Sequence, residues 1–200
     1  HYFVSRLRIK TLLTGLQRDT LIRRLRLAHR DLKRRAEHDG LTGLLTRNAL
    51  VRRLKPVLAG ERAFLLGIMD IDDFKGINDT FGHSAGDVVL RRMGAVLQEQ
   101  LGDADMASRI GGDEFVFVIR GTVGKEFAES LLPRICAAFV TYEDVPCPIS
   151  VSIGFAAFPN DGAEFEVLYK EADKALYHAK RQGKRQCAFY GELPEPCPAP

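Results

Sequence analysis

Five carboxylates fall in two tight clusters of the 200-residue sequence: Asp70, Asp72 and Asp73 in one, Asp113 and Glu114 in the other. The first cluster follows the apolar run Phe64 to Met69, which reads as a buried central strand. The second lies between two strand-like runs, Met106 to Arg109 and Phe115 to Ile119, where Gly111-Gly112 marks a hairpin. If the strands are neighbours, their acids converge at one end of a sheet. Oxygen ligands grouped in that way suit Mg²⁺, which takes one or two carboxylates and completes its shell with phosphates and water. A pair of such ions serves in-line phosphoryl or nucleotidyl displacement. The competing reading is that acids sit at strand ends because solvent begins there, and pattern alone leaves both open. Gly111 and Gly112 allow positive φ and close backbone approach by a ligand. Gly76, Gly82 and Gly86 punctuate the segment after the first strand, with Lys75 among them. A phosphate cradle there is unspecific, since the chain has neither a GxxxxGK[ST] loop nor a GxGxxG opening a helix.

The elements that must position these residues alternate from residue 39 onward. Asp39-Gly40 and Thr42-Gly43 are turn chemistry. Residues 47–59 read as helical, with Pro56 an awkward member, and Ala63 to Met69 as a strand ending at Asp70. Asp73 to Phe81 is a short helix or turn, and Ala85 to Leu101 a longer helix. After the hairpin, residues 124–140 read as helix, Ile149 to Phe158 as strand, Glu164 to Arg181 as helix and Gln186 to Tyr190 as a last strand. The expectation is an α/β domain with at least one antiparallel hairpin in its sheet, followed by a loose Pro-rich tail over 191–200.

Composition bounds the alternatives. Apolar residues at 46% and charged residues at 28% exclude a disordered chain and a collagen-like repeat. The longest apolar run is too short to span a membrane as a helix. The net charge of +3 is unevenly spread: residues 1–38 hold eleven Lys and Arg against three acids, and the remainder eighteen against 23. The basic leader reads as a helix, with Ile22, Leu25, Leu32 and Ala36 at heptad-like spacing over about two heptads. A solvated helical face, a basic segment just inside a membrane and a nucleic-acid surface compete for its Arg-rich side. We favour a dimerising stalk below an upstream region, because aromatic residues do not interleave with the basic ones as nucleic-acid binding would ask. His1 in first place leads to the expectation of a fragment. Cys136, Cys147, Cys187 and Cys197 lack CxxC spacing and read as reduced thiols of a cytosolic domain.

Four ordered blocks then carry a resemblance. Arg109-Ile110-Gly111-Gly112-Asp113-Glu114-Phe115 resembles the signature hairpin of the GGDEF-domain diguanylate cyclases. Asp39-Gly40-Leu41-Thr42-Gly43-Leu44 resembles that family's opening D-x-L-T-G-L. Asp70 to Asp79, with Gly82-His83 and Gly86-Asp87, resembles its D-I-D-x-F-K-x-I-N-D-x-x-G-H-x-x-G-D block. Ser152-Ile153-Gly154 and Ala172 to Lys180 match its closing S-I-G and A-D-x-A-L-Y-x-A-K. The resemblance covers about residues 38–190.

The resemblance implies a palm-like fold of the ferredoxin-like, nucleotidyl-cyclase type: a mixed, largely antiparallel central sheet flanked by helices and preceded by a helical stalk. It implies condensation of two GTP into cyclic di-GMP across a homodimer, controlled by an upstream sensor through the stalk. The expected setting is a cytoplasmic domain, tethered to the inner membrane if the upstream region spans it, with no nucleic-acid partner. Residue by residue, it implies Asp70, Asp113 and the Ile71 carbonyl as ligands of Mg²⁺ or Mn²⁺, with Glu114 supporting the metal. Asp113 would also favour deprotonation of the attacking hydroxyl. Asn78 and Asp87 align with the guanine-binding pair, since a carboxylate accepts from both Watson–Crick N–H groups of guanine and adenine offers no such pair. Lys180 and Lys184 align with the phosphate-binding basic pair, Lys standing at the second position where Arg is commoner. Lys75, the backbone of Asp73 and Phe74, and Gly111 with Gly112 complete the expected substrate site. One departure stands out. The family's inhibitory R-x-x-D falls on Gly102 to Asp105, so its Arg is replaced by Gly102, and product inhibition is expected to be weak or absent. The rival functions are a catalytically silent GTP- or effector-binding module and a cyclase making another dinucleotide; the intact signature and Asp87 argue against them.

Overall fold

A strand in which seven of eight residues are buried needs cover on both faces, and Phe64–Ile71 has it. The computed structural model describes residues 21–25, 36–60, 62–121, 125–140 and 147–194. The chain divides into two units, His1–Glu37 and His38–Pro200. Of the first unit, residues 21–25 and 36–37 are helical, and Leu21 and Leu25 are exposed. The rest of the expected stalk lies outside the described residues, as do 195–200 of the expected tail.

The second unit holds six strands and five α-helices among its described residues. In chain order they are β1 (Leu45–Thr46), α1 (Arg47–Ala59), β2 (Phe64–Ile71), α2 (Phe74–Phe81), α3 (His83–Gln100), β3 (Met106–Gly111), β4 (Glu114–Arg120), α4 (Lys125–Val140), β5 (Val151–Phe158), α5 (Phe165–Arg181) and β6 (Cys187–Phe189). One mixed sheet runs in the order β1-β3-β4-β2-β5-β6, with the β2 pairs to β4 and β5 antiparallel and the two outer pairs, β1–β3 and β5–β6, parallel. Alternation along the strands divides the core. Leu65, Met69, Ile71, Phe115 and Phe117 face α3 and α4, whereas Leu66, Ile68, Val116 and Val118 face α1 and α5.

Two of the boundaries that differ from those expected have a plain local reason. β2 runs two residues past Met69, so Asp70 is a paired strand residue, opposite Glu114 on β4 and Ser152 on β5. α1 keeps its expected bounds, 47–59, and continues through Pro56, which lies in its last turn, where a break would forfeit few further bonds. Tyr190–Glu192 leaves the sheet as a 3₁₀ turn, and Glu192 there pairs with Lys125 at 2.6 Å. Cys136, Cys147 and Cys187 are free thiols packed against the core.

Gly154 fixes how closely α5 approaches the sheet. A Cβ built there would stand 2.1 Å from the Ala172 carbonyl oxygen and 2.2 Å from the Leu176 amide nitrogen, both α5 backbone. Only glycine admits the helix at that distance, and the helix carries the residues that face the acids.

Candidate active site

Register brings the acids together. Directly opposed residues of an antiparallel pair share a face, so Asp70 and Glu114 both project toward α5. From α5, the Lys180 ammonium reaches the Asp70 carboxylate at 2.7 Å, and the Tyr169 hydroxyl donates to Glu114 Oε1. Burial pushes the Asp70 carboxyl above its ordinary range; Lys180 pulls against it, and the nearby Asp113 and Asp72 carboxylates push it further. Burial and the bond to Glu114 hold the Tyr169 phenol well above its ordinary value, so it stays protonated and donates.

The signature hairpin is held by Arg109. Its guanidinium donates to the Gly112 carbonyl from Nε at 2.9 Å and Nη2 at 2.7 Å, and pairs with Asp39 at 3.3 Å. Gly112 supplies the left-handed turn residue with φ of 55°. Burial pushes the Asp39 carboxyl up, but the Thr42 hydroxyl and amide and Arg109 together hold it below its ordinary 3.8. The opening D-x-L-T turn and the signature hairpin are thus joined through one guanidinium.

Of the first acidic cluster only Asp70 faces Glu114. Asp72 is buried and bonded as a lock: its carboxylate accepts from Ser152 Oγ at 2.7 Å, Ser150 Oγ at 2.9 Å and the Arg185 amide at 3.1 Å. This pins the turn after α5, where Gly183, Lys184 and Arg185 all have positive φ. Asp73, at φ 56°, precedes α2, and its carboxylate lies over Gly76, whose absent Cβ would be 2.6 Å from Oδ2. Asp73, Gly76 and Lys184 line one cavity of about 370 Å³ beside Ile77, Thr80 and Arg185. Lys75 is exposed on α2, one residue after the half-buried Phe74.

Asn78 on α2 is placed by the next helix. A Cβ at Gly86 would fall 2.1 Å from Asn78 Oδ1 and 3.1 Å from Phe74 Cζ, so this glycine makes the room that the amide occupies. Asp87 follows at once and is exposed.

Asp105 is engaged with its own chain. Its Oδ1 accepts the Arg120 amide and its Oδ2 the Gly102 amide, both at 2.9 Å.

Two carboxylates close enough to repel, with a lysine partly balancing them, are a donor set that fits a hard divalent cation completing its shell from phosphate and water. Among the described residues no three His, Cys, Asp or Glu side chains form a closed metal cage. Sequence reasoning missed Tyr169, the lock at Asp72 and the clasp at Arg109. The signal for Tyr169 was present as helical spacing, because residues 169, 172, 176 and 180 line one face of α5.

The family described as "Diguanylate cyclase, GGDEF domain" matches residues 36–186. Diguanylate cyclase DgcP of Pseudomonas aeruginosa is 40% identical over 161 residues, covering 77% of this chain and 24% of that protein. Diguanylate cyclase DgcS of Shewanella oneidensis is 35% identical over 163 residues, covering 79% of this chain and 54% of that protein. The chain thus spans about a quarter of the length of the first and about half of the second. The crystal structure of the coiled coil and GGDEF domain of DgcB from Caulobacter crescentus in complex with c-di-GMP aligns with a TM-score of 0.77 at 31% identity, over 89% of this chain and 98% of that one. With the palm-like sheet, the paired acids and the intact signature hairpin, these likenesses establish that the chain belongs to the GGDEF-domain diguanylate cyclase family.

Proposed function

We propose that the chain condenses two GTP into cyclic di-GMP, each protomer of a homodimer holding one nucleotide. Two 3′-oxygen to α-phosphorus bonds form, two α–β phosphoanhydride bonds break, and two pyrophosphates leave with the hydroxyl protons passed to base. The observation that carries this reading is the pairing of Asp70 with Glu114 under Lys180, beside an intact Gly111-Gly112-Asp113-Glu114-Phe115.

Asp70, Asp113 and the Ile71 carbonyl would hold a divalent cation, Mg²⁺ or Mn²⁺, with Glu114 in support. When bound, the cation supplies the positive charge that lets a triphosphate approach these acids and that stabilises departing pyrophosphate. Asp113 favours loss of the proton from the attacking 3′-hydroxyl. Lys180, Lys184 and Lys75 bind phosphate oxygens, with the backbone of Asp73, Phe74, Gly111 and Gly112 close by. Asn78 and Asp87 read guanine, and a mispaired adenine would leave the Asp87 charge without its donors. An upstream sensor acting through the 1–38 stalk would set how the protomers face each other, on the cytoplasmic side of any membrane, with no nucleic-acid partner. Among the described residues, no helix is long and apolar enough to cross a membrane.

Incubation with GTP or ATP and Mg²⁺, followed by mass spectrometry, tests this reading. Cyclic di-GMP from GTP and no cyclic product from ATP are expected. Unconverted GTP in the presence of bound nucleotide contradicts it.

Two further outcomes follow from the site. Gly86→Ala places a methyl group where the Asn78 amide lies, so the KM for GTP should rise by roughly tenfold, the value of one lost hydrogen bond. Alanine is the better helix former, so the melting temperature should not fall with it. Steady-state kinetics beside a thermal melt check both. Because Asp105 is bonded to two backbone amides and Gly102 carries no guanidinium, added cyclic di-GMP should leave the initial rate at saturating GTP unchanged. A titration of product into the assay reads this directly.

A further inference from the structure

We propose that Tyr169 is a positioning residue for Glu114: its phenol holds one carboxylate oxygen, leaving the other to serve the cation site. This rests on the reading above, in which Glu114 supports the metal. The geometry behind it is a division of labour along α5. Asp70 and Glu114 are register partners and share the face that α5 covers. Tyr169 and Lys180 stand eleven residues apart on that helix, close to three full turns, so both point at the same surface. One donates to Glu114 Oε1 and the other to Asp70 Oδ1, giving each acid its own donor.

Tyr169 is itself held on several sides. Its ring lies 5.8 Å from the Phe165 ring, in tilted contact. The Arg47 guanidinium sits 6.0 Å from the Tyr169 ring and 5.4 Å from the Phe165 ring, while its Nη2 bonds both oxygens of Glu166 at 2.9 and 2.8 Å. A half-buried phenol fixed in this way has one direction for its hydroxyl, and that direction ends on Glu114. A free glutamate has several rotamers and would have to order itself as the cation binds. Groups that orient a metal ligand are typically worth 10–100-fold in metal affinity or activity. Packing alone does not require the hydroxyl, since phenylalanine would make the same ring contacts with Arg47 and Phe165.

Tyr169→Phe in the full chain is therefore the test, because it removes the O–H and keeps the ring. Mn²⁺ binding is followed by electron paramagnetic resonance in the presence of a non-hydrolysable GTP analogue. The Mn²⁺ dissociation constant is expected to rise by about tenfold or more. The Mg²⁺ concentration for half-maximal turnover should rise in step, while KM for GTP at saturating metal and the melting temperature stay at the parent's values. In a Glu114→Gln background, Tyr169→Phe should add nothing, because the residue acts through that carboxylate. Unaltered Mn²⁺ affinity in Tyr169→Phe, or an equal loss in the Glu114→Gln background, overturns the proposal while a parent that binds Mn²⁺ and makes cyclic di-GMP keeps the functional reading intact. A parent that binds no Mn²⁺ overturns both.

Discussion

Asp113→Ala is expected to lower the rate of cyclic di-GMP formation by at least about a thousandfold while leaving the fold standing. The side chain is half-buried at the hairpin and close enough to Asp70 to push that carboxyl upward. Without a cation the two carboxylates repel, so deleting one relieves the apo protein. The melting temperature in the absence of metal should hold or rise as activity disappears. Loss of rate with no loss of stability marks a group kept for chemistry. Initial rates by mass spectrometry and a melt in chelator check the pair of outcomes. A residual rate near the parent's would remove Asp113 from the reaction.

The second large effect is expected at a residue that touches no substrate. Gly154→Ala would drive a methyl group to within 2.1 Å of one α5 backbone atom and 2.2 Å of another. Neither neighbour is the end of a flexible side chain, so the whole helix must back away from β5. Overpacking commonly costs about 1–3 kcal/mol, and an obstacle made of backbone belongs at the upper end. For a domain of this size, about 3 kcal/mol lowers the melting temperature by roughly 10 °C. Activity should fall further than the loss of folded protein explains, because α5 delivers both Lys180 and Tyr169 to the acids. Thermal melts with specific activity corrected for folded fraction separate the two effects. An unchanged melting temperature would mean that α5 and the sheet are not held at this distance.

Much of the site was legible because it is written in short, contiguous blocks. The run Phe64 to Met69 announced a central strand, and Gly111-Gly112 a hairpin, so the convergence of Asp70 with Asp113 and Glu114 followed from two strands being neighbours. What stayed hidden depends on residues far apart in the chain. Asp72 looks like a third metal acid in sequence, but Ser150 and Ser152, 78 and 80 residues away, take its carboxylate. Tyr169 meets Glu114 across 55 residues, a contact that the packing of α5 decides. Arg109 reads in sequence as one letter of the signature, and its partners, Gly112 and Asp39, needed the fold. Boundaries slipped where cross-strand pairing overrode local signals, as where β2 carries Asp70 and Ile71 into the sheet.

The most direct measurement is the initial rate of cyclic di-GMP formation from GTP and Mg²⁺ across protein concentrations spanning monomer to dimer, with product identified by mass spectrometry. Specific activity that rises with protein concentration, and vanishes in Asp113→Ala, is the expected result for an enzyme that joins nucleotides held by two protomers. Cyclic di-GMP made at constant specific activity through that transition, or GTP bound and left unconverted at every concentration, would contradict it.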